Sequence, residues 1–372
     1  MSDSAEIKRV VCAMSGGVDS SVSALLLHQA GYDVLGVSMQ VWDYRNNGGS
    51  CSRATCCSPD DFTDARRVAG RVGIPYYVFD FEKSFKAKVI DNFVEKYSKG
   101  LTPNPCIDCN NKVKFRELRD RAEKIGCDAV ATGHFARVMQ DKQGYHLLRG
   151  VDSNKDQSYF LYSLTQAELA RTIFPVGEMT KEQVRELARE FDLNTADKAE
   201  SQDICFVSGS VQDFIAKQGG KTPPGDIVDK AGRKLGSHQG VHRYTVGQRR
   251  GLDIGGADEA LYVIELDAQN NRVIVGPKED LRIDRFKVSE LSWISPAHIS
   301  QDAPSTFECV AQLRHRHAGV PVRVNLVDNE AEVEFLEEHS TVSPGQAAVF
   351  YDQSNQEVLG GGRILPKLSI IN

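Results

Sequence analysis

The chain has 372 residues, more than one typical domain, so two or three domains are expected. Hydrophobic residues make up 41% and charged residues 26%, values that fit a water-soluble globular protein and exclude a disordered or fibrous one. A net charge of −6 gives no global attraction to nucleic acid, so any such contact needs a local basic face. No apolar run reaches the roughly 18–20 residues of a membrane span, and MSDSAEIKRVV lacks the layout of a secretion signal. The cytoplasm is therefore the expected compartment, with no membrane partner. There, nine cysteines argue for thiol chemistry or metal binding over a disulfide framework.

In chain order, RVVCAM (9–14) predicts a buried strand, and 18–29 predicts a helix that Gly31 ends. DVLGVSMQVW (33–42) predicts a second strand. DDFTDARRVAGRVG (60–73) places Phe62, Ala65, Ala69 and Val72 on one helical face, with Gly73 and Pro75 as stop signals. YYVFDF (76–81) and DAVATGHFARV (128–138) predict a third and a fourth strand. Strands alternating with helices imply a parallel sheet covered on both faces, with ligands at the carboxyl ends of its strands. Residues 155–205 predict mainly helix: Thr180 and Gln183 have capping-box spacing, and Val184, Leu187, Ala188 and Phe191 make one apolar face. Beyond about 208, short β-rich runs with turn signals predict a small β domain and then a β-barrel or sandwich. The expected division is 1–208, 209–279 and 280–372.

SGGVDSS (15–21) stands between the first strand and the first helix. Its glycines let backbone approach a ligand, and successive N–H groups at a helix N-terminus make an anion-binding nest. Ser15, Ser20 and Ser21 can donate to phosphate oxygens. Asp19 would repel a bare phosphate, so its expected task is to hold Mg²⁺ or to cap the helix. The stretch lacks the Gly-Lys-Ser/Thr ending of an ordinary P-loop. TGH (132–134) is expected at the same sheet edge.

SGGVDSS resembles the PP-loop of the N-type ATP pyrophosphatases, which split ATP between the α and β phosphates. The motif leaves the acceptor open, because amidating, thiolating and condensing enzymes share it. GVSMQVWD, TPNPCIDCNNKVKF (102–115), TGHFARV, KDQSYFL and ESQDICF (200–206), in this order, are together similar to the tRNA-specific 2-thiouridylase family over nearly the whole chain. The resemblance implies an α/β PP-loop domain (adenine nucleotide α-hydrolase-like) followed by a small β-rich domain and a C-terminal β-barrel. It implies ATP-dependent 2-thiolation of the wobble uridine, position 34, in the anticodon stem-loop of tRNA, with Mg²⁺ on the phosphates. It further implies Cys109 as the nucleophile that frees sulfur and Cys205 as the carrier of a persulfide loaded by an external sulfur donor, a cysteine desulfurase or a relay protein. Ala13, Met14, Ser15, Gly16, Gly17, Val18, Asp19, Ser20, Met39 and Gly133 match its ATP-binding positions. Asn104, Pro105 and Cys106 match the loop that touches the target base. His134, Lys155, Asp156, Gln157, Arg314, His315 and Gln346 match tRNA-contacting positions.

The chain departs from a common family pattern, NPD..CN, in reading NPCIDCN. Cys106, Cys109 and Cys205 could then hold three corners of a [4Fe–4S] cluster. Alternatively, Cys106 is a neighbouring thiol in a disulfide relay. Cys51, Cys56 and Cys57 form a second group; they fit a sulfur-handling loop or a partial zinc site. Cys12, Cys127 and Cys309 lie in apolar contexts and are expected as buried fillers. Basic candidates for RNA are 112–124, RHRH (314–317) in an expected strand, and 238–251 with Arg243, Tyr244, Arg249 and Arg250. Two rivals remain at this level: an amidating synthetase, for which no ammonia source is evident, and a zinc-dependent RNA-binding protein, which would leave the PP-loop idle.

Overall fold

The computed structural model describes residues 7–42, 59–200, 204–207, 209–220, 223–254, 259–300, 302–338 and 341–366. Cys51, Cys56 and Cys57 lie outside them. The first part runs β1 (Arg9–Ala13), α1 (Val18–Gln29), β2 (Asp33–Gln40), α2 (Pro59–Val72), β3 (Tyr76–Asp80), α3 (Glu82–Phe85), α4 (Asp91–Ser98), α5 (Pro105–Cys109), α6 (Leu118–Lys124), β4 (Ala129–Thr132), β5 (Ala136–Gln140), β6 (Tyr145–Arg149), α7 (Gln166–Leu169), β7 (Thr172–Ile173), α8 (Lys181–Glu190) and α9 (Val211–Lys217). π-Helical turns over Lys86–Ile90 and Asn110–Glu117 join α3 to α4 and α5 to α6.

Val10, Val11 and Cys12 are fully buried, as a strand covered on both faces requires. Accordingly β1 is the middle of a parallel sheet ordered β3-β2-β1-β4-β7. Strand order reverses between β1 and β4, which makes their carboxyl ends the crevice of the sheet. One apolar cluster packs α1, α2 and α8 on one face, with Val22, Leu25, Ala65, Val68, Val184 and Ala188. A second fills the other face with Val37, Phe81, Phe85, Phe93, Val113 and Phe206. The buried side of α2 is Asp61, Ala65, Val68 and Ala69, whereas Phe62 is half-buried.

Two expectations for this part are corrected. The run 128–138 is two strands: β4 stops at Thr132, and β5 pairs with β6 as an antiparallel hairpin. A side chain at Gly133 would have its Cβ 2.7 Å from the Ser20 nitrogen and 2.8 Å from the Asp19 carbonyl carbon, so the chain turns there against the start of α1. Residues 155–200 are largely turns around α7, β7 and α8. Complete capping boxes start both α7, through Thr165 and Glu168, and α8, through Thr180 and Gln183, but only α8 runs beyond one turn.

A four-stranded sheet follows: β8 (Gly225–Asp229), β9 (Lys234–His238), β10 (Tyr262–Asp267) and β11 (Arg272–Gly276), ordered β10-β11-β8-β9. The last part comprises β12 (Arg285–Trp293), α10 (Pro296–Ile299), β13 (Thr306–Gln312), β14 (Val320–Val327), β15 (Glu330–Phe335), β16 (Ala347–Tyr351) and β17 (Val358–Ile364). Its strands close as a barrel in the order β12-β15-β14-β13-β16-β17. EAEVEF in β15 shows the logic, since Ala331, Val333 and Phe335 point inward and the three glutamates do not. RHRH is not in a strand: β13 ends at Gln312, and Arg316 has φ 64° in the turn that follows. The barrel is bound to the first part by a shared core in which Ile107, Tyr159, Leu161 and Tyr162 pack with Ile294, Ala347, Val349, Tyr351 and Val358. A bridge pairs Leu148 of β6 with Glu357.

Candidate active site

The PP-loop is shaped by its own side chains. Gly16 has φ 76°, and a Cβ there would lie 2.4 Å from the Asp61 carbonyl oxygen, so only glycine fits. Ser20 Oγ accepts from the Ser15 N–H at 3.1 Å and donates to the Gly17 carbonyl at 3.1 Å, while Ser21 Oγ donates to the same carbonyl at 2.8 Å. Gly17 is the N-cap of α1 and has no side chain to cover the first N–H groups, which leaves them for an anion. Ala13 and Met14 lead in from β1, where the Met14 N–H donates to the Val37 carbonyl at 2.8 Å. Met39 lies half-buried near the end of β2. Val18 and Ser20 are buried, and Gly133 presses on the loop from β4.

A lysine does reach this loop, from a helix about 160 residues away. Lys181 opens α8, and its backbone N–H is held by Asp152 at 2.9 Å. Its Nζ lies 2.6 Å from Asp19 Oδ1 and 2.9 Å from Glu200 Oε1, and the residue is only 9% exposed. Lys155 joins from the other side, 2.7 Å from Glu200 Oε2. Burial raises the Asp19 carboxyl above its ordinary range, with Lys181 pulling it back down. Burial would also raise Glu200, but hydrogen bonds from Lys155 and Lys181 outweigh it and bring that carboxyl to about 2. This alternating chain of charges runs from the PP-loop to the segment that precedes Cys205. Residue spacing gives no sign of Lys181 as the partner of Asp19, or of Glu200 as the second carboxylate on that lysine; only the fold brings them together.

The thiols are placed by a second local signal. Asn104 caps α5 by accepting from the Cys106 N–H at 3.1 Å, and Pro105 takes the first helical position. NPCIDC thus starts a helix with Cys106 and Cys109 in its opening turns. Cys106 is exposed; Cys109 is half-buried. Cys109 and Cys205 both pack against the cluster of Phe85, Phe93 and Phe206, one arriving on α5 and the other from the segment before α9. Cys12, Cys127 and Cys309 are buried, and burial pushes the Cys12 and Cys309 thiols up to about 12.

The remaining sequence candidates divide. His134 is buried against Phe115 and Phe174, its Nδ1 2.7 Å from Thr132 Oγ1, and burial holds its pKa well below the usual 6.5. Gln157 anchors the next residue, accepting from the Phe135 N–H at 3.0 Å. Asp156 faces inward: Oδ2 takes Arg149 Nη1 at 2.6 Å and Ser158 Oγ at 2.9 Å, and Oδ1 takes two backbone N–H groups. Its side chain shapes its own loop. Gln346 Nε2 donates to the Thr102 carbonyl at 2.9 Å, tying the barrel to the loop before α5. Arg314 and His315 lie exposed on the turn after β13, with the His315 ring 4.6 Å from that of Phe160. Arg243, Arg249 and Arg250 are exposed on the segment between β9 and β10, whose Gly247 and Gln248 hydrogen-bond to Val263 of β10.

Residues 8–209 match the family described as tRNA methyl transferase HUP domain, 212–277 a tRNA methyl transferase PRC-barrel domain and 283–364 an aminomethyltransferase beta-barrel domain. The chain is 50% identical over 363 residues to a protein of Geobacter metallireducens named tRNA-specific 2-thiouridylase MnmA, with 96% of each chain covered. The same name is carried by a Chloroflexus aggregans protein that is 48% identical, covering 95% of this chain and 98% of that one. A Nitrobacter winogradskyi protein so named is 45% identical, covering 96% and 90%. The chain belongs to the tRNA-specific 2-thiouridylase family. In this 2-thiouridylase family member, Asp19 is a single carboxylate beside an anion nest. That suits Mg²⁺, which binds through one or two carboxylates plus phosphate oxygens and water. The Lys181 ammonium stands on that carboxylate as a cation already. Among the described residues no group of three or more His, Cys, Asp or Glu side chains is placed to hold a single metal ion. No helix among them is long and apolar enough to cross a membrane.

Proposed function

We propose that this chain is an ATP-dependent tRNA-uridine 2-sulfurtransferase acting on the wobble uridine, position 34, of the anticodon. The observation that carries the reading is the pairing of an anion nest at the start of α1 with two half-buried thiols that border the apolar cluster on one face of the sheet. Ala13–Ser20, Met39 and Gly133 hold ATP, and Mg²⁺ beside Asp19 would offset phosphate charge. Lys181 supplies the ammonium that the loop itself lacks. Asn104, Pro105 and Cys106 border the target base, and His134, Lys155, Asp156, Gln157, Arg314, His315 and Gln346 are the proposed tRNA-contacting positions. Drawing the base from its stack costs roughly a few kcal/mol, less in a single-stranded loop.

In the first step O2 of the uracil attacks the α-phosphorus. The bond to the β-phosphate breaks, pyrophosphate leaves and N3 loses its proton. The N–H groups at the start of α1 and the Lys181 ammonium receive the charge that develops on the leaving group. The terminal sulfur of a Cys205 persulfide then attacks C2, and AMP departs with the old carbonyl oxygen. Cys109 thiolate attacks Cys205 Sγ; a Cys109–Cys205 disulfide forms, and the electron pair of the broken S–S bond goes to the sulfur on C2, while N3 regains a proton. The transferred sulfur is reduced and the two cysteines are oxidised. An external thiol reductant must then restore them, and an external persulfide donor, a cysteine desulfurase or relay protein, must reload Cys205. The cytoplasm, where tRNA is handled, is the proposed setting.

Methyl transfer, which the matched domain descriptions mention, is the second reading. It calls for a methyl donor and gives neither the pyrophosphate nest nor the thiol pair a task. The deciding experiment incubates tRNA with ATP, Mg²⁺ and a persulfide donor. Cys205→Ser should accept no sulfur at that site, Cys109→Ser should load Cys205 but make no 2-thiouridine, and Cys106→Ser should keep substantial activity. Thiolated tRNA from Cys205→Ser would refute the scheme.

A further inference from the structure

The helix turn that carries Cys109 is gripped from the barrel. Asp108, the residue before Cys109, lies with its carboxylate 3.2 Å from the guanidinium of Arg363 on β17, and both side chains are 7% exposed. Its other oxygen accepts from Asn92 Nδ2 at 3.0 Å, and Lys112 lies 3.2 Å away on the solvent side. Ile107 is buried in the core shared with β16 and β17, whereas Cys109 borders the opposite cluster. Upstream, Thr102 is pinned on both sides: its N–H donates to the Pro344 carbonyl at 2.8 Å, and its carbonyl accepts from Gln346. Gly345 fits only without a side chain, since a Cβ would come 2.9 Å from Leu101 Cβ and from the Thr102 nitrogen.

Desolvating a carboxylate and a guanidinium is expensive, and an apolar pair of similar volume often serves stability as well or better. The Arg363 Nη1 is also buried without a hydrogen-bond partner, a further cost. What such a pair does supply is a fixed direction and register. We infer that Arg363 is a positioning residue for Cys109: through Asp108 it sets the rotation of α5, so that the C-terminal barrel is a working part of the sulfur-transfer centre. The inference rests on the role proposed for Cys109. Rotation matters because neighbouring side chains on a helix diverge by about 100°, and an error of about 1 Å in a reacting atom can cost ~100-fold in rate.

The test compares Arg363→Met, Asp108→Asn and the double variant with the parent protein. Readouts are kcat and tRNA KM for thiolation, persulfide loading on Cys205, and thermal unfolding. Each single change should lower kcat by ~10-fold or more with tRNA KM within about twofold and Cys205 loading intact, a split that a purely stabilising role would not produce. The double variant should fall no further than the worse single one, as coupled partners require. Asp108→Asn keeps the shape of its side chain and carries the test if Arg363→Met folds poorly. Parent-level kcat in the folded variants, or a loss confined to tRNA KM, would overturn the inference. Cys109→Ser runs in parallel. If it thiolates normally, the proposed role of Cys109 fails and the inference with it. If it is inactive while Arg363→Met is not, the inference alone fails.

Discussion

Replacing Lys181 with glutamine removes an ammonium that touches two carboxylates, at 2.6 and 2.9 Å, while keeping most of the side chain's reach. Two effects follow, and they are separable. In the protein without nucleotide, Asp19 and Glu200 lose their shared counter-charge. Those carboxylates are about 30% exposed, so solvent screens part of the loss, and a stability decrease of about 1–3 kcal/mol is expected, below the value for a fully buried pair. With ATP, one charged hydrogen bond to the departing pyrophosphate is lost. Such a bond is worth about 1.5–3 kcal/mol, which converts to a ~10- to 150-fold loss. Thermal unfolding without ligand measures the first effect. Binding of pyrophosphate with Mg²⁺, followed by calorimetry, and the rate of ATP-dependent pyrophosphate release measure the second. A Lys181→Gln protein that melts earlier but binds and releases pyrophosphate like the parent would refute the argument and leave Lys181 a structural counter-ion.

Changing both Arg249 and Arg250 to alanine should weaken tRNA binding and flatten its salt dependence by about one log–log unit per lost phosphate contact; an unchanged slope would assign the exposed pair to solvent. The Glu200 carboxyl, at about 2 against an ordinary 4.5, is lowered in the folded state, so its ion pairs stabilise fully above about pH 4.5 and are lost as pH falls towards 2. Unfolding curves of the parent and Glu200→Gln should therefore differ by about 3 kcal/mol near neutrality and converge near pH 2, whereas a constant gap would contradict the assignment. Gly133→Ala forces a methyl group against the backbone of Asp19 and Ser20. ATP affinity should drop by about tenfold or more as the start of α1 shifts, and unchanged affinity would show that the edge yields.

What the sequence shows about this site follows the range of the interactions. Glycines and serines of the PP-loop satisfy one another within seven residues, so the loop is readable as a string. The same holds for NPCIDC, where an N-cap and a first-turn proline announce a helix. Lys181 carries no local mark, because its partner Asp19 lies 162 residues away along the chain, and Glu200 joins the site only through Lys181 and Lys155. DAVATGHFARV looks continuous, since apolar residues run through it, yet the crowding of Gly133 against α1 breaks it into β4 and β5. RHRH alternates like a strand, but Arg316 sits in the left-handed region of a turn. KDQ reads as a polar surface, while Asp156 is buried under Arg149, itself 3.7 Å above the Tyr351 ring of the barrel.

The core shared by Ile107, Tyr159, Leu161 and Tyr162 with the barrel strands bears on how the molecule can be taken apart. The first matched domain ends at 209 and the third begins at 283, with the second between them, a division that suggests modules that could be shuffled or expressed alone. Severing the chain between them would leave two tyrosines and two aliphatic side chains facing water on one fragment, and Val349, Tyr351 and Val358 on the other. An exposed apolar face of that kind invites aggregation. The Tyr159 hydroxyl would also lose the Ala347 carbonyl it now reaches at 3.0 Å. Swapping barrels between relatives thus requires carrying the α5 loop and the 158–162 segment along, because the seam of the assembly runs through the first domain and not at the boundary before β12.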